Sequence, residues 1–322
     1  ASRSGRGLKV WEAIEATLRT RNISYESTLL EGPGQARTLA ASLTAFETSL
    51  SRAGTGSDTE TIGKTASDDT APPRKTIIIV GGDGTLNEFV DGIEDFSSLI
   101  LGCIPTGSGN DFARSLSLLT DTEEALEHIL HPAGWQELSV GLIHAGSSTR
   151  RFVVSSGIGF DAAVCRAIDR SHLKSVLNRL HMGKLVYLMK ALHMIITGGT
   201  FRLRIKTDDG RTALYRKVLF AAFMNTPYEG GGFMMCPEAD PSDDALDLLI
   251  VDSLPKWKIP VILPTAFEGK HTGYKGIHIQ RCRRAAILCE TPRCIHTDGE
   301  HLGYESRISY ELLPWKLRVI TK

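Results

Sequence analysis

The sequence lacks several features that define large protein classes. It contains no run of 18 or more apolar residues, so it predicts no membrane-spanning helix. Its 37 Lys and Arg residues equal its 37 Asp and Glu residues, and a chain with no basic surplus is not expected to bind nucleic acid. Its six cysteines form no CxxC pair, which argues against a zinc site or a disulfide framework.

Composition and length indicate a folded protein of one or two domains. Hydrophobic residues make up 42% of the chain and charged residues 23%, as in ordinary globular proteins. The 322 residues correspond to one large domain or two smaller ones. No signal peptide is recognisable and the cysteines read as reduced thiols, so we expect a cytoplasmic protein. The chain starts at Ala1 without Met, so the question whether a membrane anchor or a targeting signal precedes it stays open.

Two glycine-rich loops each follow a buried strand. Residues 76–80 are mostly β-branched and apolar, which is typical of a parallel strand covered on both faces, and Gly-Gly-Asp-Gly-Thr follows at 81–85. Residues 99–104 predict a second such strand, followed by Pro-Thr-Gly-Ser-Gly-Asn-Asp at 105–111. A strand, a glycine loop and a helix, occurring twice, predict an α/β unit that binds ligands at the carboxyl ends of its strands.

The glycine loops have the chemistry of a phosphate site. Glycine lets backbone N–H groups approach phosphate oxygens closely, and the start of the following helix favours an anion. A carboxylate repels phosphate, so Asp83 is expected to act through a metal ion, to accept a proton or to orient a neighbour. Neither loop matches GxxxxGK[ST] or GxGxxG, which disfavours ordinary P-loop NTPases and simple dehydrogenases.

The rest of the pattern indicates a second part that is rich in β-structure. Helices are predicted at 8–21 and 34–50, a strand at 23–30, and a flexible surface insertion at 51–73. Residues 172–196 form a basic amphipathic helical block, which is either a docked helix pair or a membrane-surface element beside a lipid pocket. Further strands are predicted at 151–156, 201–207, 216–223, 246–252, 285–290, 305–312 and 316–321.

The motifs resemble those of the diacylglycerol kinase catalytic family, which includes bacterial lipid kinases and eukaryotic sphingosine and ceramide kinases. The strongest matches are GGDGTLNE at 81–88 and PTGSGNDFAR at 105–114. The opening SRSGRG at 2–7 is similar to the end of the family's first nucleotide loop. Further matches, in the family's order, are SGIGFDAAV at 156–164, PEADPSDDALDLLIV at 237–251, GKHTGY at 269–274 and TDGE at 297–300.

The resemblance implies a fold of two domains. Residues 1–140 would form an ATP-binding α/β domain, Rossmann-like and related to phosphofructokinase and NAD kinase. Residues 141–322 would form a β-sandwich domain that binds lipid, and the carboxyl-terminal segment would return to the first domain. The resemblance further implies ATP and Mg²⁺ as cofactors, a membrane lipid as substrate and peripheral contact with membranes, and a homodimer stays open.

The resemblance also assigns roles to individual residues. Glu300 matches the proton acceptor proposed for bacterial relatives and Asp83 matches the base of sphingosine kinases, and the choice between them stays open. Asp111 matches an aspartate of the metal network, and Asp161 falls where sphingosine kinases contact the lipid headgroup. A second metal site is implied at Asp240, Asp243 and the carbonyl of Ala245. The implied ATP-binding residues are Ser4, Gly5, Gly81, Gly82, Asp83, Gly84, Thr85, Leu86, Asn87, Thr106, Gly107, Ser108 and Asn110.

Some positions depart from the family pattern or have a simpler interpretation. Ser139 stands where the family usually has an aspartate, and Asp244 replaces the usual glycine of the metal loop. Asp161 is also a plausible helix cap, and the aspartates of residues 240–247 also read as a solvated acidic loop. The TDGE sequence at 297–300 is a good turn on its own.

These observations favour an ATP-dependent lipid kinase. It would transfer the γ-phosphate of Mg·ATP to a hydroxyl of a diacylglycerol-like or sphingoid lipid, a reaction that needs positioning, a cation and a carboxylate near the attacking oxygen. Two alternatives stay open. One is an NAD kinase, which shares GGDGT; the other is a regulator that binds lipid or nucleotide without turnover.

Overall fold

The computed structural model describes residues 6–45, 74–159 and 199–321. The predictions for Ser4, Gly5 and Asp161, for the insertion at 51–73 and for the helical block at 172–196 lie outside the described residues. Within the described part, no helix has the length and apolar character needed to cross a bilayer.

Helices and strands alternate in the first part of the chain. Helix α1 is amphipathic and buries Ile14 and Leu18, which lie one turn apart on the same face. Helix α5 begins after Asp121, whose carboxylate caps the helix by accepting hydrogen bonds from two backbone N–H groups. The elements are α1 (Arg6–Thr20), α2 (Gln35–Thr44), β1 (Lys75–Gly81), α3 (Asp83–Gly92), β2 (Leu99–Pro105), α4 (Asp111–Ser115), α5 (Thr122–Leu130) and β3 (Trp135–Leu138).

The strand predicted at residues 23–30 is wrong. These residues form an irregular segment that pairs with no strand. Their apolar side chains serve a different purpose, because Ile23 and Tyr25 pack on the cluster that holds α1. The ring of Tyr25 meets that of Trp11 edge-on, with 5.9 Å between centroids. The alternation that indicated a strand therefore reflects packing against a helix.

A four-stranded sheet brings both glycine loops to one edge. Strands β1 and β2 are parallel, with Lys75 opposite Leu99 and Gly81 opposite Pro105. Strand β15 (Leu317–Ile320) lies between β2 and β3, parallel to β2 and antiparallel to β3. The sheet order is therefore β1–β2–β15–β3. The division of the chain at residue 140 stays a prediction.

A nine-stranded sheet forms most of the remaining described chain. Its order is β12–β11–β8–β6–β13–β14–β4–β5, and β7 pairs with both β8 and β13. Its core includes Phe223 and Tyr310, whose rings stack with centroids 3.8 Å apart. The elements are β4 (Gly141–Ala145), β5 (Ser148–Phe152), β6 (Ser155–Gly159), β7 (Phe201–Thr207), β8 (Thr212–Met224), β9 (Tyr228–Glu229), β10 (Phe233–Met234), β11 (Leu246–Asp252), α6 (Ile259–Ile262), β12 (Ile277–Cys282), β13 (Arg284–Thr297) and β14 (Glu300–Leu312).

Three short 3-10 turns surround α6, and a two-stranded hairpin of β9 and β10 lies apart from the large sheet. The turns are Lys256–Lys258, Leu263–Glu268 and Lys270–Gly273. The predicted order, an α/β part followed by a part rich in β-structure, is confirmed.

Candidate functional site

The two glycine loops touch each other. Because Gly81 lies opposite Pro105 at the ends of β1 and β2, the Thr106 N–H donates to the Gly81 carbonyl at 2.8 Å. A methyl group placed on Gly107 would lie 2.8 Å from the Cα of Gly82, and one on Gly82 would lie 3.1 Å from the Cα of Gly107. The glycines therefore allow the two loops to pack closely against each other, in addition to allowing a ligand to approach the backbone.

This contact gives a first testable prediction. Gly107→Ala should push the loops apart and lower ATP affinity by about 10-fold, because a phosphate site depends on the position of its backbone N–H groups to within fractions of an ångström. Gly134→Ala is a matched control, since no atom lies within 4 Å of a methyl group at that position. Binding is measured by calorimetry with a non-hydrolysable ATP analogue. Equal affinities for the two variants would contradict the prediction.

Asp83 is held at the start of α4. Its carboxylate oxygens accept hydrogen bonds from the backbone N–H groups of Asp111 and Phe112, both at 3.3 Å. Burial raises the pKa of Asp83, and these hydrogen bonds oppose the shift. A carboxylate at a helix start is stabilised by the exposed N–H groups there. Of the three roles expected for Asp83, the geometry shows the orienting one directly, because this side chain fixes the second loop onto the first.

The second loop contains three buried oxygens that have no hydrogen-bond partner. They are Thr106 Oγ1, Asn110 Oδ1 and Asp111 Oδ1; the last of these lies 4.0 Å from the Arg114 Nε in an ion pair. The other carboxylate oxygen of Asp111 accepts from the Gly231 N–H at 2.8 Å, and burial raises the pKa of Asp111 to about 6. A buried polar atom without a partner costs about 1–3 kcal/mol. Three of them within six residues indicate a place where a ligand completes the structure.

The donor chemistry of this loop fits a magnesium ion carried by a phosphate ligand. Mg²⁺ takes oxygen ligands, keeps several waters and is usually held by one or two carboxylates together with substrate phosphates. Asn110 Oδ1 and Asp111 Oδ1 are oxygens of this kind. Among the described residues, no group of three or more His, Cys, Asp and Glu side chains is placed to hold a metal by itself. The protein atoms therefore suit a metal that arrives with a substrate.

Glu300 reaches the same loops from the other sheet. It is the first residue of β14, at the tip of the β13–β14 hairpin. A methyl group placed on Gly84 would lie 3.0 Å from the Glu300 Oε1, so this carboxylate rests against the GGDG loop. Glu300 is exposed whereas Asp83 is partly buried. The structure thus brings both candidate bases to one loop and places Glu300 on its open side.

The side chain of Asn87, predicted to bind ATP, is occupied by protein partners. Its amide nitrogen donates to the Asp298 carboxylate at 2.7 Å and to the Arg151 carbonyl at 3.0 Å. Its amide oxygen accepts from Arg150 at 2.9 Å. Asn87 is fully buried and ties α3 to β5 and to the β13–β14 hairpin. The Asn87 side chain thus supports Asp298, two residues before Glu300, and ATP binding by Asn87 stays a prediction.

Asp298 is the centre of this junction, and sequence reasoning treated it only as a turn residue. One of its carboxylate oxygens accepts from the N–H groups of Val154 and Ser155, at 2.8 and 2.9 Å. The other accepts from the Val153 N–H at 3.0 Å as well as from Asn87. Burial raises the pKa of Asp298, and these hydrogen bonds oppose the shift. Asp298 thereby fixes the turn that presents Glu300.

The remaining predicted ATP-binding residues differ in what they offer. Leu86 is buried in the core of the first sheet, so only its backbone faces the site. The Thr85 side chain packs over Gly81, where a methyl group would lie 2.9 Å from its Cβ. Ser108 is exposed at the loop surface. Arg114 was missed as a functional residue, although it ends the PTGSGNDFAR motif, and it donates to the Gly109 carbonyl at 3.3 Å.

Comparison with known proteins decides the family. Residues 1–143 match the model of the diacylglycerol kinase catalytic domain, and residues 153–321 match that of the YegS C-terminal NAD kinase beta sandwich-like domain. The chain belongs to the diacylglycerol kinase catalytic family. The predicted fold, an α/β domain followed by a β-sandwich-like domain, is thereby confirmed. Membership of a kinase family implies that ATP is used.

Individual relatives agree with this membership. The chain is 29% identical over 300 residues to "Putative lipid kinase YtlR" of Bacillus subtilis, covering 92% of this chain and 89% of that protein. It is 28% identical over 226 residues to a diacylglycerol kinase of Mycobacterium tuberculosis, covering 70% of each. A solved structure titled "A putative diacylglycerol kinase from Bacillus anthracis str. Sterne" superposes with a TM-score of 0.70 at 19% identity, over 99% of this chain and 94% of that one. This last likeness shows the fold alone.

The carboxylates of the second metal site implied for this diacylglycerol kinase family member make contacts within the protein. Asp240 accepts from the N–H and the hydroxyl of Ser242, at 2.9 and 2.6 Å, and so closes its own turn. Asp243 forms an ion pair with Arg281 and accepts from the Ala245 N–H at 3.0 Å. These carboxylates already have partners within the protein, and the metal at Asp240, Asp243 and Ala245 stays a prediction.

The two departures from the family pattern lie side by side, joined by a lysine. The Lys316 ammonium donates to the Ser139 hydroxyl at 2.9 Å and pairs with the Asp244 carboxylate. Its hydrogen bond holds the pKa of Asp244 below the ordinary value. Arg283 adds a contact with Asp244 at 3.5 Å. Basic side chains of the protein thus neutralise the negative charge of the acidic loop. Lys316 also links this loop to Ser139 and to the segment leading into β15.

Metal removal tests this arrangement. We expect EDTA and added Mg²⁺ to leave the unfolding free energy of the ligand-free protein unchanged. Lys316→Met should lower this free energy by about 1–2 kcal/mol, because the buried Ser139 hydroxyl loses its hydrogen-bond donor. Arg318→Met is a matched control, since the Arg318–Glu137 pair has side-chain exposures of 20% and 50% against 24% and 49% for Lys316–Asp244. Urea unfolding measures all three proteins. Destabilisation of the parent protein by EDTA would show that a metal holds the loop.

Proposed function

We propose that this chain is an ATP-dependent lipid kinase that phosphorylates a hydroxyl of a diacylglycerol-like or sphingoid lipid. The observation that carries the proposal is the meeting of three groups: the GGDG loop, the loop of residues 106–111 with its unpartnered oxygens, and the Glu300 carboxylate. The membership of the diacylglycerol kinase catalytic family and the names of the relatives support it. The acceptor class is the part that rests most on those relatives.

The first loop suits the triphosphate. Gly82 and Gly84 carry no side chains, and α3 starts at Asp83, so its first N–H groups face the loop and favour an anion. Asp83 fixes the second loop alongside. Asn110 and Asp111 would hold Mg²⁺, which would neutralise charge on the phosphate oxygens. A bound cation would also lower the pKa of Asp111, which burial and the neighbouring Asp83 raise to about 6.

Glu300 supplies the group that phosphoryl transfer needs on the acceptor side. Its carboxylate would accept the proton of the lipid hydroxyl as that oxygen forms a bond to the γ-phosphorus. The bond from the γ-phosphorus to the β–γ bridging oxygen breaks in the same event, which leaves ADP and a phosphorylated lipid. Glu300 suits this role better than Asp83, because Glu300 is exposed on the open side of the loop whereas Asp83 is partly buried.

The test is a transfer assay with γ-labelled ATP, Mg²⁺ and a panel of acceptors in mixed micelles. The panel contains diacylglycerol, monoacylglycerol, sphingosine, ceramide and phosphatidylglycerol, and NAD is assayed separately. Label in a lipid supports the proposal and identifies the acceptor class. Label in NAD alone would replace it with an NAD kinase. ATP binding with no labelled product would favour a regulator that binds lipid or nucleotide without turnover.

A further inference from the structure

Residues 255–275 expose apolar side chains to an unusual degree. Trp257 and Val261 have 73% and 66% of their surface exposed, more than any other large apolar side chain in the described chain. Phe267 and Tyr274 add 43% and 40%. Isolated exposed apolar residues are ordinary, but a group of this size within 21 residues marks a contact surface. We refer to residues 255–275 as the docking segment.

The docking segment is built so that these side chains point outward. It consists of the short turns around α6, and Ile259 and Ile262 are buried beneath it. They pack in a cluster with Leu219 and Val251 of the large sheet. Because Ile259 and Ile262 anchor the segment, its outward apolar groups are held in place rather than collapsed onto the protein.

The charge of the docking segment has one dominant sign. It contains four lysines and a single glutamate, with no arginine or aspartate, in a chain whose formal net charge is zero. The Glu268 carboxylate pairs with Lys270, and the segment as a whole has three more basic than acidic side chains. The Lys258 ammonium lies 5.3 Å from the centre of the Trp257 ring. Lysines around an exposed tryptophan are the pattern of proteins that bind at the surface of an anionic bilayer.

The docking segment is connected to the candidate active site through one hairpin. The Phe267 ring stacks on Phe233 of β10, with 4.2 Å between centroids, and His271 hydrogen-bonds the Met235 carbonyl at 3.0 Å. The same hairpin of β9 and β10 contains Gly231, whose N–H donates to the Asp111 carboxylate. A surface bound by the docking segment would therefore lie one hairpin away from the loop that the lipid must reach.

We propose that the docking segment binds the surface of an anionic lipid bilayer, with Trp257 and Val261 in the headgroup region and the lysines on lipid phosphates. This proposal rests on the proposed lipid kinase function for its purpose, although the binding itself does not require turnover. A second copy of this chain fits less well. A symmetric contact would place the lysines of one docking segment against those of the other.

Vesicle sedimentation tests the proposal on the full chain without ATP. We expect binding to vesicles of phosphatidylcholine that contain about 30 mol% of the anionic lipid phosphatidylserine. Binding to vesicles of phosphatidylcholine alone should be weak. Trp257→Ser with Val261→Ser should weaken binding about 10-fold. Lys258→Gln with Lys275→Gln should weaken it about 30-fold on anionic vesicles, since each basic residue near such a surface contributes roughly a factor of five.

Matched controls lie on other strands of the large sheet. Leu214→Ser with Leu288→Ser removes side chains that are 51% and 41% exposed, and Arg204→Gln with Arg216→Gln removes two exposed charges. These controls should bind as the parent protein does. Equal loss in controls and docking-segment variants, or full binding by the docking-segment variants, would overturn the proposal. The proposal would also be overturned if the parent protein were a dimer in solution and the Trp257→Ser variant were a monomer.

A second readout separates this inference from the proposed function. With a short-chain, water-dispersed acceptor the docking-segment variants should retain parental kcat, while their rate on vesicles falls with their binding. A protein that binds anionic vesicles through the docking segment but labels no lipid would leave the docking surface standing and remove the kinase. A labelled lipid, formed at equal rates on vesicles by all variants, would support the kinase and overturn the docking surface.

Discussion

Glu300→Gln is expected to lower kcat by about 10³-fold while leaving the affinity for ATP within about two-fold of the parent value. The amide keeps the size of the side chain against Gly84 but cannot take a proton, and a positioned general base contributes roughly 10²–10⁴ in rate. Initial rates over a range of ATP and lipid concentrations separate kcat from KM. Nucleotide affinity is measured independently by calorimetry.

Asp83→Asn provides the comparison that assigns the base. Asparagine has only one oxygen to accept from the backbone of Asp111 and Phe112, so the second loop should loosen. We expect both kcat and ATP affinity to fall, in contrast to the loss of kcat alone for Glu300→Gln. If Asp83→Asn lost kcat alone and Glu300→Gln retained most of its activity, the roles would be reversed.

Asp298→Ala is expected to lower the free energy of unfolding by about 4 kcal/mol. The substitution leaves the N–H groups of Val153, Val154 and Ser155 and the Asn87 amide without their acceptor in a buried place, and each orphaned group costs about 1–3 kcal/mol before relaxation and water entry reduce the sum. Urea unfolding followed by circular dichroism measures the change. The tip that presents Glu300 should loosen as well, so activity falls even where the protein remains folded.

Two further variants identify the cause. Asp298→Asn retains one acceptor oxygen and should lose about half as much stability. Asp209→Ala removes a carboxylate that bonds Thr207 and Arg211 in an exposed turn and should change stability by less than about 1 kcal/mol. A loss for Asp298→Ala as small as that for Asp209→Ala would show that the buried network is not what joins α3 to the β13–β14 hairpin.

The loops of the candidate site were predictable because their signals are local. A β-branched apolar run followed at once by glycines identifies the end of β1, and an apolar run followed within three residues by a glycine identifies the end of β2. The same local logic failed at residues 23–30, where apolar spacing reflected contact with α1. It also failed to predict β4, which is only five residues long, and β12, in which Arg281 interrupts the alternation of apolar and polar residues.

The polar junctions were not predictable, because they join residues far apart in the chain. Asp298 bonds Asn87 across 211 positions, and Lys316 bonds Ser139 across 177. Sequence spacing has no information about such pairs. It identified Ser139 and Asp244 as departures from a family pattern, but only the fold shows that a single ammonium group serves both. Glu300 was recognised through its motif, whereas its approach to Gly84 follows from the contact of α3 with β5 and with the β13–β14 hairpin.

The place of β15 has a consequence for biosynthesis. This strand lies between β2 and β3, yet a ribosome makes it only after every strand of the nine-stranded sheet has been synthesised. Until then, one edge of β2 is unpaired, and unpaired edges are prone to pairing with other chains. The nine-stranded sheet can form while the four-stranded sheet still lacks β15. The half of the molecule that is synthesised first is therefore expected to finish folding last.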